Sequence, residues 1–242
     1  MHNNSSFKKE NFFLIILGII VIFFLIYFLG SFNINKVKIG NFGNKENLDR
    51  IKETSVDINT ILGNLPPLGN PNAPIKIVEF GDFHCPYCTQ VPELIYKPLQ
   101  QYIDNNLVAI YFRDFPLDQI HPFSRNVHLA SRCANEQGKY WDFHKKAFED
   151  FNNGLGQKTG DKDYLFNLAK NLNLDENKFK ECYETKKYEN DINNDYIQGT
   201  QLGIQGTPGF FVNNLFIAGL DVESINKAIN LLLGNNLSNS NN

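Results

Sequence analysis

The hydrophobic positions of the chain begin with one long apolar run. Residues 12–32 contain no charged side chain. Twenty-one residues at about 1.5 Å each span roughly 30 Å, the hydrocarbon thickness of a bilayer. The run therefore predicts a retained transmembrane helix after a short N-terminal segment, residues 1–11. A cleaved signal peptide is the alternative, but its apolar region is usually only about 7–15 residues long.

Polar residues dominate the stretch after this predicted anchor. Residues 33–65 are rich in Asn and Lys and have only a weak helical pattern of apolar positions. We interpret them as a stalk or linker, and a short dimerising helix is the alternative. Lysines lie on both sides of the apolar run, so the positive-inside rule does not fix the orientation of the anchor.

Alternating strand and helix patterns begin after the stalk. Residues 75–80 and 107–113 are β-branched, mostly apolar runs of strand length. Between them, residues 86–103 have apolar positions near helical spacing. Strand, helix and strand in this order predict a βαβ unit with parallel strands.

The second half of the pattern is mainly helical and then returns to strands. Residues 121–203 predict a helical block, and residues 209–219 predict a hairpin that turns at Asn213 and Asn214. A last helix is expected over residues 221–233. This order predicts a helical block inserted into a small α/β fold.

The domain limits and composition follow from these patterns. Residues 66–233 form the predicted α/β domain, and the low-complexity tail, residues 234–242, is expected to be disordered. The 23 Lys and Arg against 26 Asp and Glu give a formal charge of −3, which argues against nucleic-acid binding. Four cysteines are too few for a disulfide-dense mini-scaffold.

The candidate chemistry lies in Cys85-Pro86-Tyr87-Cys88, directly after a predicted strand and at the start of a helix. Unpaired N–H groups and the helix dipole stabilise a thiolate at that position. Pro86 suits the first helical turn, because it has no N–H that would lack a partner. Cys88 lies one turn further on and is close enough to form a disulfide with Cys85, so the pair predicts a redox centre.

A zinc half-site is the alternative interpretation of C-x-x-C. Such a site needs a second pair of ligands, but Cys133 and Cys182 are far apart in the sequence and do not form one. We therefore predict no metal. Thr207-Pro208, just before the strand pattern at residue 209, is a candidate cis turn beside the disulfide. An ordinary trans turn is the alternative, since only about 5–6% of such bonds are cis.

Several motifs occur in order over most of the predicted domain. They are G-N-P-N-A-P-I-K-I-V-E-F-G-D-F-H-C-P-Y-C (69–88), F-R-D-F-P-L (112–117) with His121, C-A-N-E-Q-G-K-Y-W-D-F-H (133–144) and G-I-Q-G-T-P-G-F-F-V-N (203–213). Together they resemble the DsbA-like thiol:disulfide oxidoreductases of the thioredoxin superfamily. The resemblance implies a thioredoxin fold with an inserted all-helical domain, and a redox-active disulfide in place of a cofactor.

The resemblance also implies individual roles. Cys85 is the expected nucleophile, Cys88 the resolving thiol and Pro208 the cis-proline that receives the substrate chain. Thr207 holds the position that tunes the nucleophilic sulfur. Glu79 matches the family's buried acid, which transfers protons to or from the resolving thiol. A solvated strand residue is the alternative for Glu79.

The segment around the two cysteines also departs from the family pattern. Many strong oxidases of the family have His between the cysteines, where this chain has Pro86 and Tyr87. That pair also occurs in glutaredoxins and some disulfide isomerases, so the direction of the reaction stays open. Our hypothesis for His84 is that its protonated ring stabilises the Cys85 thiolate.

Cys133 and Cys182 are expected to form a structural disulfide within the helical block. The even number of cysteines and the predicted export of the domain favour this bridge, and some relatives have a second disulfide there. Two buried free thiols are the alternative.

Together these patterns predict a membrane-anchored oxidoreductase that oxidises cysteine pairs of exported proteins on the extracytoplasmic side. Cytosolic thiols would keep both cysteine pairs reduced, which argues against the opposite orientation. Its expected reoxidant is a quinone-linked membrane partner of the DsbB or vitamin K epoxide reductase-like type. A disulfide isomerase or reductase with the same site, and a non-catalytic module that holds peptides, are the alternatives.

Overall fold

The computed structural model describes residues 51–239, with side chains described as far as Gly234. The predicted anchor, residues 12–32, and the first part of the predicted stalk lie outside the described residues. Within residues 51–239, no helix combines the length and apolarity needed to cross a bilayer.

Within the described residues, five strands form one mixed sheet. They are β1 (Ile51–Glu53), β2 (Ile75–Gly81), β3 (Val108–Asp114), β4 (Gly209–Val212) and β5 (Leu215–Ala218). Their order is β1-β5-β4-β2-β3. The β2 and β3 strands are parallel, as the βαβ pattern predicts, and the other pairs are antiparallel. Because β2 lies between β3 and β4 in the sheet, its C-terminal end, where the Cys85 segment begins, also lies between them.

Alternate residues of β2 face opposite sides of the sheet. Ile75 and Ile77 belong to one buried cluster, and Val78 and Phe80 belong to another. By the same alternation Glu79 faces the first cluster, although it is a charged residue type. The strand therefore carries an acid into an apolar layer of the domain.

The stalk prediction extends too far into the chain. Ile51–Glu53 pairs with β5, from Ile51 opposite Ile217 to Glu53 opposite Leu215. Ile61 is buried and belongs to the same apolar cluster as Val78 and Phe80 of β2. A strand of three residues and isolated buried positions, Ile61 and Leu65, form too short a pattern to be recognised in the sequence. The sequence therefore predicts a linker over residues 51–65, whereas the structure includes them in the fold.

The predicted helix over residues 86–103 is divided into shorter pieces. They are a 3₁₀ turn (Cys88–Gln90), a π-helix (Pro92–Tyr96) and α1 (Gln100–Asp104). Pro92 and Pro98 have no N–H to donate, and a proline ring disfavours a continuous helix. The π-helix closes through a hydrogen bond from the Lys97 N–H to the Pro92 carbonyl of 2.9 Å.

The helical block occupies the predicted place between β3 and β4. Its α-helices are α2 (Ser124–Asn135), α3 (Tyr140–Asp150), α4 (Lys162–Asn171), α5 (Glu176–Glu184) and α6 (Glu189–Gln201). Large buried side chains, among them Phe143, Phe148 and Phe179, form its core. The same cluster includes Cys85 and Cys88, so the block packs against the cysteine segment.

The hairpin turns at Asn213 and Asn214, as predicted, and Asn213 has a positive φ of 50°. The last helix, α7 (Val222–Asn239), continues past Leu233, where the sequence predicted its end. Residues 234–239 are thus helical and not a disordered tail. Gly and Asn are weak helix formers, but extending an existing helix costs far less than starting one.

Candidate functional site

Cys85 and Cys88 follow the C-terminal end of β2. Both are free thiols, and they are buried, with exposed fractions of 4% and 0%. The Cys85 N–H donates to the Asp82 carbonyl at 3.1 Å, and the Asp82 N–H donates to Cys88 Sγ at 3.5 Å. Tyr87, between the cysteines, is 63% exposed. The two sulfur atoms therefore lie just below the surface, in a turn held by backbone hydrogen bonds.

The loop before β4 approaches Cys85 from the other side. The Thr207–Pro208 peptide bond is cis. The Thr207 carbonyl oxygen lies 3.3 Å from Cys85 Sγ and accepts from it when Cys85 is protonated. A groove of about 540 Å³ runs beside this loop. Its lining includes Tyr87, residues 203–209, Phe216 and Leu220. An extended chain in this groove would pass next to the Cys85 sulfur.

The pKa values of the two thiols are shifted in opposite directions. A hydrogen bond from Cys88 is the largest of the effects that lower the pKa of Cys85 to about 6, against the opposing effect of burial. Thr207 and the backbone N–H groups of Tyr87 and Cys88 lower it further. Burial raises the pKa of Cys88 well above its ordinary value. At neutral pH the pair therefore holds one thiolate, on Cys85, and one thiol that donates to it.

Glu79 is fully buried, which excludes the solvated alternative. Burial raises its pKa to about 8, although a hydrogen bond from the Tyr96 hydroxyl to Oε2 acts in the opposite direction. The negative charge of Cys85 raises the pKa further. Glu79 is therefore a protonated carboxyl at neutral pH and able to give up a proton in the range where thiols react.

His84 does not have the charge that the hypothesis requires. Its ring is buried and lies tilted beside the Phe151 ring, and burial lowers its pKa to about 4. Nε2 lies 3.0 Å from Thr159 Oγ1, which itself donates to the Gly156 carbonyl. Nε2 is therefore the nitrogen that carries the proton. His84 is a neutral packing residue at neutral pH, and the sequence-based hypothesis is wrong because it left out burial.

Asp82 is a residue of this segment that the sequence analysis missed. Its buried carboxylate accepts hydrogen bonds from the N–H groups of His84 (2.8 Å) and Leu117 (2.7 Å), from His121 Nδ1 (2.9 Å) and from the Ser124 hydroxyl. Burial raises the pKa of Asp82, but the donors outweigh that effect and hold the pKa below its ordinary value. Asp82 thus joins the cysteine turn to the loop after β3 and to α2. The sequence shows only an acid after a strand, without its four donors.

Cys133 in α2 and Cys182 in α5 form a disulfide, with an S–S distance of 1.99 Å and a Cα–Cα distance of 5.8 Å. The bridge crosses the core of the helical block. Among the described residues, no group of three or more His, Cys, Asp or Glu side chains is arranged to hold a metal ion.

Comparison with known proteins places this geometry in a family. The thioredoxin family model matches residues 63–231, well over half of the chain. The probable disulfide bond formation protein D of Bacillus cereus is 30% identical over 167 residues, which cover 67% of this chain and 76% of that protein. Among solved structures, Wolbachia pipientis alpha-DsbA1 is 27% identical, with a TM-score of 0.63, and the match covers 75% of this chain and 98% of that one.

A different kind of relative matches over only part of its length. The Na(+)/H(+) antiporter NhaA 3 of Salinispora tropica is 30% identical over 164 residues, which cover 66% of this chain and 24% of the antiporter. The chain thus spans about a quarter of that relative, and the similarity concerns only that part of it.

Proposed function

Because the chain belongs to the thioredoxin family, and DsbA-like proteins are among its relatives, we propose that it is a thiol:disulfide oxidoreductase whose reactive pair is Cys85 and Cys88. One observation carries the proposal. Cys85 has a pKa of about 6 and lies beside a buried Cys88 whose pKa is well above its ordinary value. A thiol pair with a stable thiolate and a nearby resolving thiol is suited to disulfide exchange.

The proposed reaction begins with a disulfide between Cys85 and Cys88. A substrate thiolate attacks Cys85 Sγ, the bond between the two cysteines breaks, and its electron pair stays on Cys88 Sγ. A second substrate thiolate then attacks the substrate sulfur of this mixed disulfide and releases Cys85 as a thiolate. The substrate gains a disulfide, and the enzyme becomes the dithiol.

The acidity of Cys85 favours this direction. A thiolate that is stable at neutral pH is a good leaving group, and it stabilises the reduced form of the enzyme, which makes the disulfide form an oxidant. We propose oxidation as the main activity, with isomerase or reductase activity as the alternative. For the Cys85–Cys88 pair, a reduction potential of about −120 mV would support the oxidase, whereas one of about −270 mV would support a reductase.

The other residues of the site have proposed roles in the same reaction. The Thr207 carbonyl lies 3.3 Å from the Cys85 sulfur, so the loop at Pro208 is the proposed binding place of the substrate backbone. The groove of about 540 Å³ beside it would hold the flanking side chains. Glu79 is the proposed proton donor to Cys88 when that sulfur leaves as a thiolate.

We also propose a cellular setting. The uncharged run over residues 12–32 would anchor the chain in the membrane, with the domain on the extracytoplasmic side. Its substrates would be exported proteins with free thiols, and a quinone-linked membrane oxidase of the DsbB or vitamin K epoxide reductase-like type would regenerate the disulfide. Protease added to intact cells should digest the domain; a domain protected until the cells are lysed would contradict this orientation.

The test of the activity uses the oxidised full chain and a reduced, unfolded protein with two cysteines. We expect disulfides to form in the substrate, and Cys85→Ser to abolish this activity. Cys88→Ala, given a substrate protein whose two cysteines already form a disulfide, should accumulate mixed disulfides through Cys85. The Cys85 thiolate attacks that disulfide, one substrate thiolate leaves, and no resolving thiol is present to break the new bond. A Cys133→Ala/Cys182→Ala variant is the control and should stay active.

Two results would count against the oxidoreductase. One is a Cys88→Ala variant that forms no mixed disulfide. The other is a Cys85→Ser/Cys88→Ser variant that keeps its full effect on substrate proteins by preventing their aggregation. The second result would favour a module that only holds peptides.

A further inference from the structure

We propose that Tyr96 is a positioning residue that determines which oxygen of Glu79 carries the proton passed to Cys88. The inference rests on the proposed exchange reaction and adds to it a residue that has no motif in the sequence. Tyr96 acts through Glu79 and does not touch the reacting sulfur atoms.

The two carboxyl oxygens of Glu79 have different surroundings. Oε2 accepts a hydrogen bond from the Tyr96 hydroxyl, and both side chains are buried. Oε1 has no hydrogen-bond partner among the described residues. A protonated oxygen is a poor acceptor, so the hydrogen bond from Tyr96 favours Oε2 as the unprotonated oxygen. The proton of the neutral carboxyl is then on Oε1.

Oε1 lies beside Gly81, at the C-terminal end of β2. A Cβ atom at Gly81 would be 2.5 Å from the Phe112 ring and 2.9 Å from Oε1, so the absence of a side chain at Gly81 makes room for both. The next residue, Asp82, donates its N–H to Cys88 Sγ at 3.5 Å. The charge of Glu79 is also one of the effects that raise the pKa of Cys88. The proton-bearing oxygen therefore lies beside Gly81, the residue that precedes the Asp82 N–H donor to the Cys88 sulfur.

Neighbouring rings hold Tyr96 in place. It is the last residue of the π-helix, and its ring stacks on His144 with a centroid distance of 6.1 Å and an interplanar angle of 23°. Trp141 meets the same ring edge-on at 6.1 Å, and its Nε1 donates to the Pro66 carbonyl at 3.0 Å. Burial lowers the pKa of His144 to about 3, so that ring is neutral and does not compete for Glu79 as a cation. The hydroxyl of Tyr96 thus has a fixed direction.

Transfer of this proton accompanies the exchange reaction. When a substrate thiolate attacks Cys85, the electron pair of the broken bond stays on Cys88 Sγ, and the proton moves from Glu79 Oε1 to that sulfur. Glu79 becomes a carboxylate that keeps its hydrogen bond from Tyr96. On reoxidation Cys88 returns the proton to Oε1, so the cycle needs no other acid.

The test is Tyr96→Phe in the full chain, which removes one hydroxyl and keeps the ring. Because the lost hydrogen bond stabilises the carboxylate, the midpoint of Glu79 should move up from about 8 by about one pH unit. Carboxyl-¹³C NMR of the dithiol form measures this midpoint. The pH dependence of enzyme reduction by glutathione, expressed per glutathione thiolate, should shift in the same direction.

Tyr164→Phe is the matched control, since it removes another hydrogen bond from a phenol to a carboxylate, the 3.0 Å contact with Asp150 in the helical block. It should leave the Glu79 midpoint unchanged. A fluorinated tyrosine at position 96 is a stronger donor and keeps the native contacts. It should lower the midpoint, and it provides the test if Tyr96→Phe does not fold.

The outcomes separate this inference from the proposed function. Equal Glu79 midpoints in the wild type, Tyr96→Phe and the fluorotyrosine protein would overturn the role of Tyr96. A shift that persists in the reduction rates of a Glu79→Gln/Tyr96→Phe double variant, relative to Glu79→Gln, would overturn it as well. Absence of any reaction between glutathione and wild-type Cys85 would instead reject the exchange reaction, while the NMR midpoints would still report on Tyr96.

Discussion

Cys85 and Cys88 are separated by two residues, but their pKa values are shifted in opposite directions. Cys88 is buried and stays a thiol, and its hydrogen bond is the largest effect that lowers the pKa of Cys85. Glu79 is likewise buried and neutral. At the residue scale the site therefore consists of one stabilised thiolate and two buried groups that keep their protons at neutral pH.

The neutral state of Glu79 predicts a dependence of stability on pH. Its pKa of about 8 in the folded protein lies above its ordinary value of 4.5. Between these values the unfolded chain has released a proton that the folded protein keeps, so the burial of Glu79 destabilises the fold increasingly as the pH rises from about 4.5 to 8. Glu79→Gln should therefore raise the free energy of unfolding by a few kcal/mol, on the order of 1.4 per pKa unit, at pH 8.5 but not at pH 4.

Urea unfolding of the dithiol form at several pH values measures this effect. Glu93→Gln is the control, because Glu93 is an exposed acid on the neighbouring π-helix and should show no comparable gain. A gain for Glu79→Gln that is the same at pH 4 and pH 8.5 would mean that Glu79 does not titrate as described.

At the scale of elements, the site depends on pieces that meet from different parts of the chain. The π-helix brings Tyr96 to Glu79, and the loop before β4 brings Thr207 to Cys85. The helical block covers the cysteine turn, and the Cys133–Cys182 bridge joins α2 and α5 within it. Correct packing of this block is therefore a condition for the site.

Removal of the bridge should destabilise the protein without removing its chemistry. The bridge closes a loop between residues separated by 49 positions, and loops of this length correspond to about 2–4 kcal/mol of unfolding free energy. Cys133→Ala, Cys182→Ala and the double variant should lose similar amounts, because each of them removes the same bond. Chemical denaturation measures the loss. Losses that add in the double variant would show that the two side chains contribute separately and not as a bridge.

On the scale of the whole molecule, buried ion pairs connect the sheet, the helical block and the segment before β2. Asp195 in α6 accepts from Arg113 in β3 at 2.6 Å and from Arg132 in α2 at 2.7 Å. Arg132 also donates to Asn64 at 2.7 Å, and Arg113 donates to the Ile61 carbonyl. Residues 61–64 therefore supply acceptors for two buried cations.

Truncation should reveal this contribution. A chain that begins at residue 51 should keep the stability of the domain, whereas one that begins at residue 66 should lose about 3 kcal/mol or more. The second truncation removes the buried Ile61 and leaves Arg113 and Arg132 without two of their acceptors. Denaturant unfolding of the two chains gives the difference. Equal free energies of unfolding for the two chains would mean that residues 51–65 are only a linker.

Much of the fold could be predicted because its signals are local. The βαβ pattern around residues 75–113, the place of the helical block and the hairpin at Asn213 all appear in the structure as expected. The errors fall where the signal was short or where neighbours intervene. The β1 strand has only three residues, and it is ordered by pairing with β5, from Ile51 opposite Ile217 to Glu53 opposite Leu215, far along the chain.

The sequence by itself determined the fold class and pointed to the proposed reactive pair, because C-x-x-C after a strand and the ordered motifs around it are local patterns. Only the tertiary structure decided the ionisation of the site. Burial lowers the pKa of His84 and keeps its ring neutral, and burial outweighs the hydrogen bond from Tyr96 in raising the pKa of Glu79. Asp82 accepts hydrogen bonds from Leu117 in the loop after β3 and from Ser124 in α2. The charge of a group depends on its solvation and its partners, and these come from segments that only folding brings together.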